Sequence, residues 1–594
     1  MVLTELSGEN IYHAFLSGAL EVIKQKTELN RINVFPVPDG DTGSNLAFTM
    51  YTIVENATIN DSVKQTMKSI ADAAIDGARG NSGIIFAQYI NGMYMELNDK
   101  ENVDLNSFST SAGKAVEYAH SSIANPVEGT MITVMKDWAI ALADCGQKST
   151  DFVEAMTLSL EVAIQSLRDT PLKLKVLRDA HVVDSGAKGF VHFLEGFLKF
   201  VTTREIAIFN NKEVTIHYDE EFHMLENIDL TNRYCTEALI KGKDLDTAFI
   251  KAELLEFGDS MVIAGNKDKL RVHIHTSKPE EIFKTLRKHG KIIQQKSDDM
   301  LRQFESAHNR KYNIALITDS IADLPREIMD KYQIHLVPLN LIIEDSNYLD
   351  KRTITSSEFY NIMDEIEVYP SSSQPTIRIV ENYIKELVSH YDKVIAITVS
   401  SKMSGTYNTF NNAIANLGLS KDKIALIDSK RNSGAQGLIV LEAAEYIAGG
   451  DSFETVVEKT KAVAEKSEIY VSVLDLKYMI KSGRIGRATG MVAGALNFKP
   501  VVSIDKNGDG SIIGKSFSVW SNTQKVYSLV QEVANNSGVS RYAVVHANSL
   551  DRAKEFVDNI KRITGKEPEY IMEISSIVAM SAGIGSVAVA LISE

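Results

Sequence analysis

The chain reads as a multidomain protein with an all-α part, a small α+β part and an α/β part in succession, and three observations carry that reading. Apolar residues recur at helical spacing through about residue 203, as in the stripe Ile11, Phe15, Val22, Ile23 and the stripe Met156, Leu160, Ala163, Leu167. After Arg204 the pattern shortens to strand-like runs, EIAIF, EVTIHY, SMVIAG and LRVHIHT, with helical segments such as PEEIFKTLRKHG between them. From Asn313 the strand candidates NIALITD, HLVPLNLI, KVIAITVS, KIALIDS and YAVVHA alternate with helices such as VENYIKELVSHY and LIVLEAAEYIAGG. That alternation predicts α/β units with ligand loops at the carboxyl ends of strands. The expected domains are 1–203, 204–305 and 311–594, with the polar stretch 303–312 as a linker.

Composition narrows the function. With 63 basic and 78 acidic residues among 594, the net charge of −15 gives no reason to expect nucleic acid or an anionic membrane as partner. Cys145 and Cys235 are the two cysteines, too few for a disulfide framework, so a reducing compartment is expected. The start, MVLTELSGEN, has neither the basic flank nor the apolar stretch of a signal peptide, and the expected location is cytoplasmic. Residues 574–593 are twenty without a charge, long enough to span a bilayer. They are rich in Ser, Gly and Ala, lack a Trp or Tyr belt and follow Glu567, Glu569 and Glu573. They read instead as a Gly-broken strand–turn–helix of the α/β part, and no transmembrane segment is expected.

The sharpest motif of the helical part is Pro38-Asp39-Gly40-Asp41-Thr42-Gly43-Ser44-Asn45. Two carboxylates one Gly apart suit a hard cation such as Mg²⁺, which takes oxygen ligands and substrate phosphates. The glycines admit phosphate oxygens to backbone N–H groups, and Thr42, Ser44 and Asn45 add donors. A helix expected to start near Asn45 would turn its positive end to the same anion. Alone, the segment reads equally as a turn, because Pro, Asp and Gly dominate turns. Three further loops tip the balance: GARGNSG at 77–83, NPVEGTM at 125–131 and DSGA at 184–187, the first two just before helical patterns. No G-x-x-x-x-G-K-[ST] occurs, which excludes a P-loop enzyme.

The ordered set NVFPVPDGDTGSN, GARGNSG, NPVEGTMITV and VVDSGAKG resembles the ATP-binding subunit of the dihydroxyacetone kinases, the DhaL family, in the branch found in bacterial fatty acid kinases (FakA). The resemblance covers about the first 200 residues. It implies an antiparallel eight-helix barrel with ATP and two Mg²⁺ ions at one end. By position, Asp39 and Asp41 correspond to the metal-bridging, catalytic aspartates. Asn33 stands where the dihydroxyacetone kinases have a third Asp and is the weaker ligand of a second metal. Thr42, Gly43, Ser44, Asn45, Ser82 and Gly83 match the phosphate loops, Thr130 and Met131 the adenine side, and Asp184 the loop that closes over the nucleotide.

In the middle part Cys235 precedes His273-Ile274-His275, and two His at i and i+2 of a strand share a face. With the thiolate they would supply three of four ligands to zinc. On spacing alone the incidental-His reading is the stronger, since three ligands are one short of a structural site. YCTE, GDSMVIAG and VHIHT also resemble the FakA middle domain, and that resemblance implies Zn²⁺ on Cys235, His273 and His275.

The last part carries hydroxyl-rich loops, TDSIADLP, SSSQPT, SSKMSGTY, IDSK and SGRIG, suited to a small anion or explicable as ordinary turns. Their order resembles the DegV family of fatty-acid-binding proteins, which implies a two-part α/β fold with one acyl chain buried between the parts. Ser372, Ser373 and Ser404 match hydroxyls near the acid head group, with Gly405 beside them. A family Arg aligns near Val519, leaving Lys515 as the nearest cation in sequence, and Ser581 replaces a family His. DKNGDG at 505–510 begins like an EF-hand, but Ser516 stands where Glu is required, so a hairpin is expected. Gly583-Ile584-Gly585 opens a dinucleotide-like spacing that has no acidic residue after it.

Together the resemblances imply an ATP-dependent phosphotransferase that turns a fatty acid carboxylate into an acyl phosphate, a precursor for phospholipid acylation. The expected ligand is a long-chain fatty acid held by the DegV-like part, and tethering raises its effective concentration to about the millimolar range. A separate DegV-type carrier or acyltransferase is the expected partner and a homodimer the expected assembly. Asn33, Val519 and Ser581 motivate a second reading, a lipid-binding, nucleotide-sensing regulator. A small-ketone kinase is disfavoured because no separate substrate domain of that type is found.

Overall fold

The computed structural model describes residues 2–36, 40–206, 231–363, 367–483 and 498–594. It divides into two compact units, Met1–Met300 and Leu301–Glu594.

Eight helices of 15 to 19 residues open the first unit: Gly8–Lys24, Thr42–Asn56, Val63–Gly77, Gly80–Glu96, Leu105–Ser122, Met131–Gly146, Phe152–Arg168 and Ser185–Thr203. Each packs on the next and the last packs on the first, so the ring closes. Closure depends on two small residues: a Cβ on Gly18 would stand 2.7 Å from the Phe193 ring, and one on Gly196 2.5 Å from the Ser17 carbonyl. Phe15, Phe86, Phe108, Trp138, Phe190, Phe193 and Phe197 fill the interior, with Phe86 edge-on to Phe193 at 4.9 Å between centroids. Each such side chain contributes about 1.5–3 kcal/mol by burial. Consecutive helices of the ring alternate in direction, so every second helix begins at the same end. Ser7, Ser62, Asp104 and Asp151, which precede the first, third, fifth and seventh helices, each cap their own helix with a side-chain oxygen.

Residues 207–230, which include EVTIHY and most of EIAIF, lie outside the described residues. Four antiparallel strands then form a sheet in the order Gly258–Gly265, Lys269–Thr276, Tyr234–Lys241, Lys291–Asp299. With the helices Thr247–Leu254 and Pro279–Arg287 this is a βαββαβ, ferredoxin-like arrangement. Alternation gives the sheet two unlike faces. Ile240, Val272, Ile274 and Ile292 are buried on one, while Cys235, Glu237, Arg271, His273 and His275 share the other through the pairings Cys235↔His275 and Glu237↔His273. The sheet docks on the ring: Asn91 Nδ2 donates to the Gly265 carbonyl at 3.0 Å, and Lys269 pairs with Asp76 at 2.6 Å.

The expected linker is a correction. Residues 300–308 form the helix Met300–His308, because its buried Arg302 is paired with Glu305 at 2.5 Å and Asp330 at 2.6 Å.

The second unit has a parallel sheet ordered Ile424–Asp428, Lys393–Thr398, Ile314–Asp319, His335–Val337. A six-stranded sheet is ordered Gly510–Gly514, Val501–Ile504, Ser467–Ser472, Val587–Ser593, Val539–His546, Ile571–Glu573. The buried helix Ser433–Ala448 packs on strands of both sheets. HLVPLNLI divides at Pro338, which has no N–H for a ladder, and its second half, Asn340–Ile343, joins Ser346–Leu349 and Ser371–Ser373 in a third sheet. The expected hairpin over 505–510 is present. The uncharged C-terminal run is helix then strand, Ser576–Ala582 and Val587–Ser593, the reverse of the expected order. That strand is central in its sheet with most of its side chains buried, which accounts for the missing charges. Among the described residues no helix is long and apolar enough to cross a membrane.

Candidate functional site

The four Gly-rich segments sit at the N-termini of the second, fourth, sixth and eighth helices, which begin at Thr42, Gly80, Met131 and Ser185. The first of these helices starts three residues earlier than expected from the sequence. Close approach ties the segments together. Gly80 has φ +57°, and a Cβ there would stand 2.4 Å from Asn45 Nδ2; one on Gly186 would meet Ser82 Oγ and Met131 Cε at 2.9 Å. Thr42, Ser44 and Asn45 are buried, and Ser44 is held from both sides by Asn30, whose Oδ1 accepts the Ser44 N–H at 2.8 Å and whose Nδ2 donates to Ser44 Oγ at 3.0 Å. Gly83 is buried and Thr130 half-buried.

At this end the capping differs from the far end. Asp41, Arg79 and Thr130 make no side-chain cap bond to the helices they precede. One N–H of each start is held instead by a side chain remote in sequence, Ser44 by Asn30, Gly80 by Glu237 and Met131 by Asp184, and the positive ends of these helices favour an anion beside them. Asn33 is buried, and Asp39 lies outside the described residues.

Asp184 is the exception, capping its helix through the Ala187 N–H at 2.7 Å. Burial raises its carboxyl from 3.8 to about 6, against the opposing pull of the Ala187 and Met131 N–H groups. The folded chain therefore binds more protons than the unfolded chain between these values, and stability is lost as pH rises through that window. Asp184→Asn removes this titration. The variant is expected to gain stability relative to the native chain between pH 4 and 6, read by denaturant midpoints; a constant difference across that range would contradict the assignment.

One potential ligand atom from each of Cys235, His273 and His275 lies within 4.8 Å of the others. His273 Nε2 is buried without a hydrogen-bond partner, an arrangement costly for an imidazole unless something binds it. Burial, and then His273, hold His275 down to about 3, so it is neutral and ligand-ready. Burial pushes the Cys235 thiol well up; Lys296 opposes this, and the carboxylates of Glu237, Asp298 and Asp41 add to it. The residues fit a zinc ion, which would lower the thiol again. The cluster faces the Gly80 helix start, since Glu237 on the same sheet face accepts the Gly80 N–H at 2.7 Å.

Glu237 escaped the sequence reading, although it lies two residues from Cys235 on the same face. Its Oε1 accepts the Gly80 N–H at 2.7 Å and lies 3.4 Å from His273 Nδ1.

In the second unit a cavity of about 830 Å³ is lined by Ser372, Ser373, Ser404, Gly405 and Ser581, bringing together five residues singled out from sequence. Its depth is apolar, with Ile469, Val502, Val545 and Val587 buried in the wall. Lys515 is a correction: it is exposed and absent from the cavity wall, because the strand before it, Gly510–Gly514, lines the cavity only through Gly510, Ser511 and Ile512 and Lys515 lies beyond that stretch; Val519 is likewise exposed and outside the wall. Arg484 and Gly486 of SGRIG lie outside the described residues.

Family models match in three places: the DAK2 domain over 36–199, the FakA-like middle domain of fatty acid kinases over 231–307, and the DegV family over 313–594. The chain thus joins these three domains. An uncharacterized protein of Staphylococcus haemolyticus is 32% identical over 313 residues, covering 51% of this chain and 56% of the relative. One from Staphylococcus saprophyticus is 31% identical over 323 residues, covering 52% and 58%. The chain thus spans little more than half the length of these relatives. Similar solved structures include DegV of Bacillus subtilis, described as a fatty acid binding protein (27% identity, TM-score 0.43, 48% of this chain and 100% of that one). A DegV family protein of Thermus thermophilus is similar at 23% identity and TM-score 0.44, over 48% of this chain and 100% of that one.

Proposed function

We propose that a chain joining a DAK2 domain, a FakA-like middle domain and a DegV domain transfers the terminal phosphoryl group of ATP to the carboxylate of a long-chain fatty acid, giving acyl phosphate and ADP. The observation that supports it is the gathering of Gly-rich helix starts at one end of the ring: none of those at Thr42, Gly80 and Met131 is capped by its preceding residue, and the remote side chains Asn30, Glu237 and Asp184 hold one N–H of each, so positive helix ends converge beside buried polar groups. A largely apolar cavity with hydroxyls on its wall suits an acyl chain with a carboxylate head.

Asp41, with Asp39 and Asn33, would hold Mg²⁺, which neutralises phosphate charge when bound. Thr42, Gly43, Ser44, Asn45, Ser82 and Gly83 would bind the phosphates, Thr130 and Met131 the adenine side, and Asp184 would order the closing turn. Cys235, His273 and His275 would hold zinc. The nucleophile is a carboxylate, already ionised at neutral pH, so the chain needs to supply no base. Its work is positioning and charge stabilisation by oriented N–H groups.

The test is incubation of the full chain with ATP, Mg²⁺ and palmitate, trapping acyl phosphate as the hydroxamate. Product is the expected result. Absence of product from a chain shown to bind both ATP and palmitate would overturn self-contained turnover; restoration by a free DegV-family carrier would then separate a carrier-dependent kinase from a nucleotide-sensing regulator.

A further inference from the structure

The cavity wall of the second unit contains one charged side chain among its described residues, Lys402. It belongs to the turn that follows the strand Lys393–Thr398, where its N–H donates to Ser400 Oγ at 3.3 Å. Two residues on, Ser404 and Gly405 line the same cavity. Gly405 is packed against Gln374, since a Cβ there would stand 1.8 Å from Gln374 Oε1. The turn is thereby fixed beside the segment Ser372-Ser373-Gln374, which also lines the wall. Ser373, Gln374 and Lys402 are exposed, whereas the apolar wall is buried, so the polar residues mark where the cavity meets solvent. Among the described ion pairs Lys402 has none. The two positions from which sequence comparison would have drawn a cation offer none: Val519 is apolar and outside the cavity, and Ser581 is a hydroxyl on its wall.

We propose that Lys402 supplies the counter-charge for the carboxylate head group, with the hydroxyls of Ser372, Ser373 and Ser404 as its neutral partners. The proposal rests on the fatty acid reading and adds the residue that makes the cavity select an acid over an uncharged lipid of the same length. A hydrogen bond assisted by charge is stronger than a neutral one, and an ester or alcohol head cannot form the ion pair. Lys402 stands at the solvent edge, so its contribution falls as salt rises.

The experiment measures equilibrium binding of palmitate and methyl palmitate to the lipid-stripped full chain at low ionic strength, for the native protein, Lys402→Met and Lys402→Arg. The native chain is expected to prefer the acid by about tenfold or more. Lys402→Met should bind the ester as the native chain does and lose most of the preference for the acid, and Lys402→Arg should keep it. Lys402 is exposed, so the variants are expected to fold, which the unchanged ester affinity verifies. Equal native affinities for acid and ester overturn the assignment of Lys402 alone, as does an undiminished preference in Lys402→Met. A native chain that binds neither lipid overturns this assignment together with the fatty acid reading.

Discussion

Asp41→Ala is expected to lower ATP-dependent acyl phosphate formation by about 10²–10³-fold or more while leaving palmitate binding unchanged. Asp41 precedes the first residue of the helix Thr42–Asn56 but makes no cap bond to it. An Asp in that position ordinarily spends its carboxylate on the N–H of the second or third helical residue and contributes about 1 kcal/mol to stability. That contribution is absent here, because Asp41 makes no such bond. The stability loss in Asp41→Ala should therefore be small compared with the loss in turnover, and the two can be read in one sample by denaturant midpoint and hydroxamate yield. Asp41→Asn keeps the size and removes the charge, so it should resemble Ala in rate. Native turnover in either variant would remove Asp41 from the metal site. A large drop in stability would instead assign it a structural role.

The sequence was most informative where chemistry and local structure coincide. PDGDTGSN, GARGNSG and DSGA each combine small residues with polar ones at a helix start, and all three lie at the same end of the ring. The alternation in LRVHIHT placed His273 and His275 on one face before any strand pairing was known. Ser372, Ser373, Ser404 and Ser581 line one cavity as the ordered hydroxyl loops implied. The misses have a common cause, which is that partners remote in sequence are invisible to spacing. Residues 303–312 look like a polar linker because the pairing of Arg302, just before them, with Asp330 is invisible in the sequence. Lys515 was the nearest cation along the chain, yet the strand before it lines the cavity only as far as Ile512, and among the described residues Lys402 is the cation on the wall. Glu237 looked like one acidic residue among many because Gly80, its partner, is 157 positions away.

That remote partner makes Glu237 one of the buried ties between the sheet and the ring of the first unit. Its carboxylate is buried with Arg271, His273 and His275 on the sheet face that carries the metal-ligand candidates. Burial alone would raise the carboxyl, but the His273 hydrogen bond and the Lys296 and Arg271 charges hold it well below the ordinary range. Its stabilising contribution is present above the ordinary carboxylate range and is lost as pH falls toward the depressed value. Glu237→Ala removes the acceptor of the Gly80 N–H and one of the two carboxylates, with Asp76, that act on the buried Arg271, whose Nε already lacks a hydrogen-bond partner. Removing one partner of a buried charge pair costs about 3–5 kcal/mol, so the denaturant midpoint should fall by a correspondingly large amount. Glu237→Gln keeps an oxygen for the Gly80 N–H and discards only the charge. It should be less destabilising than Ala, and the difference between native and Gln chains should shrink in acid, where the native carboxylate becomes protonated. Metal is read on a different variant: the native chain is expected to hold one zinc per chain by elemental analysis, and Cys235→Ser none. If Glu237→Ala unfolded at the native midpoint, the bond to Gly80 would contribute nothing. The Gly80–Gly83 turn would then owe its position to the ring alone, through Asn45 and Thr49, beside which Gly80 and Gly83 are packed.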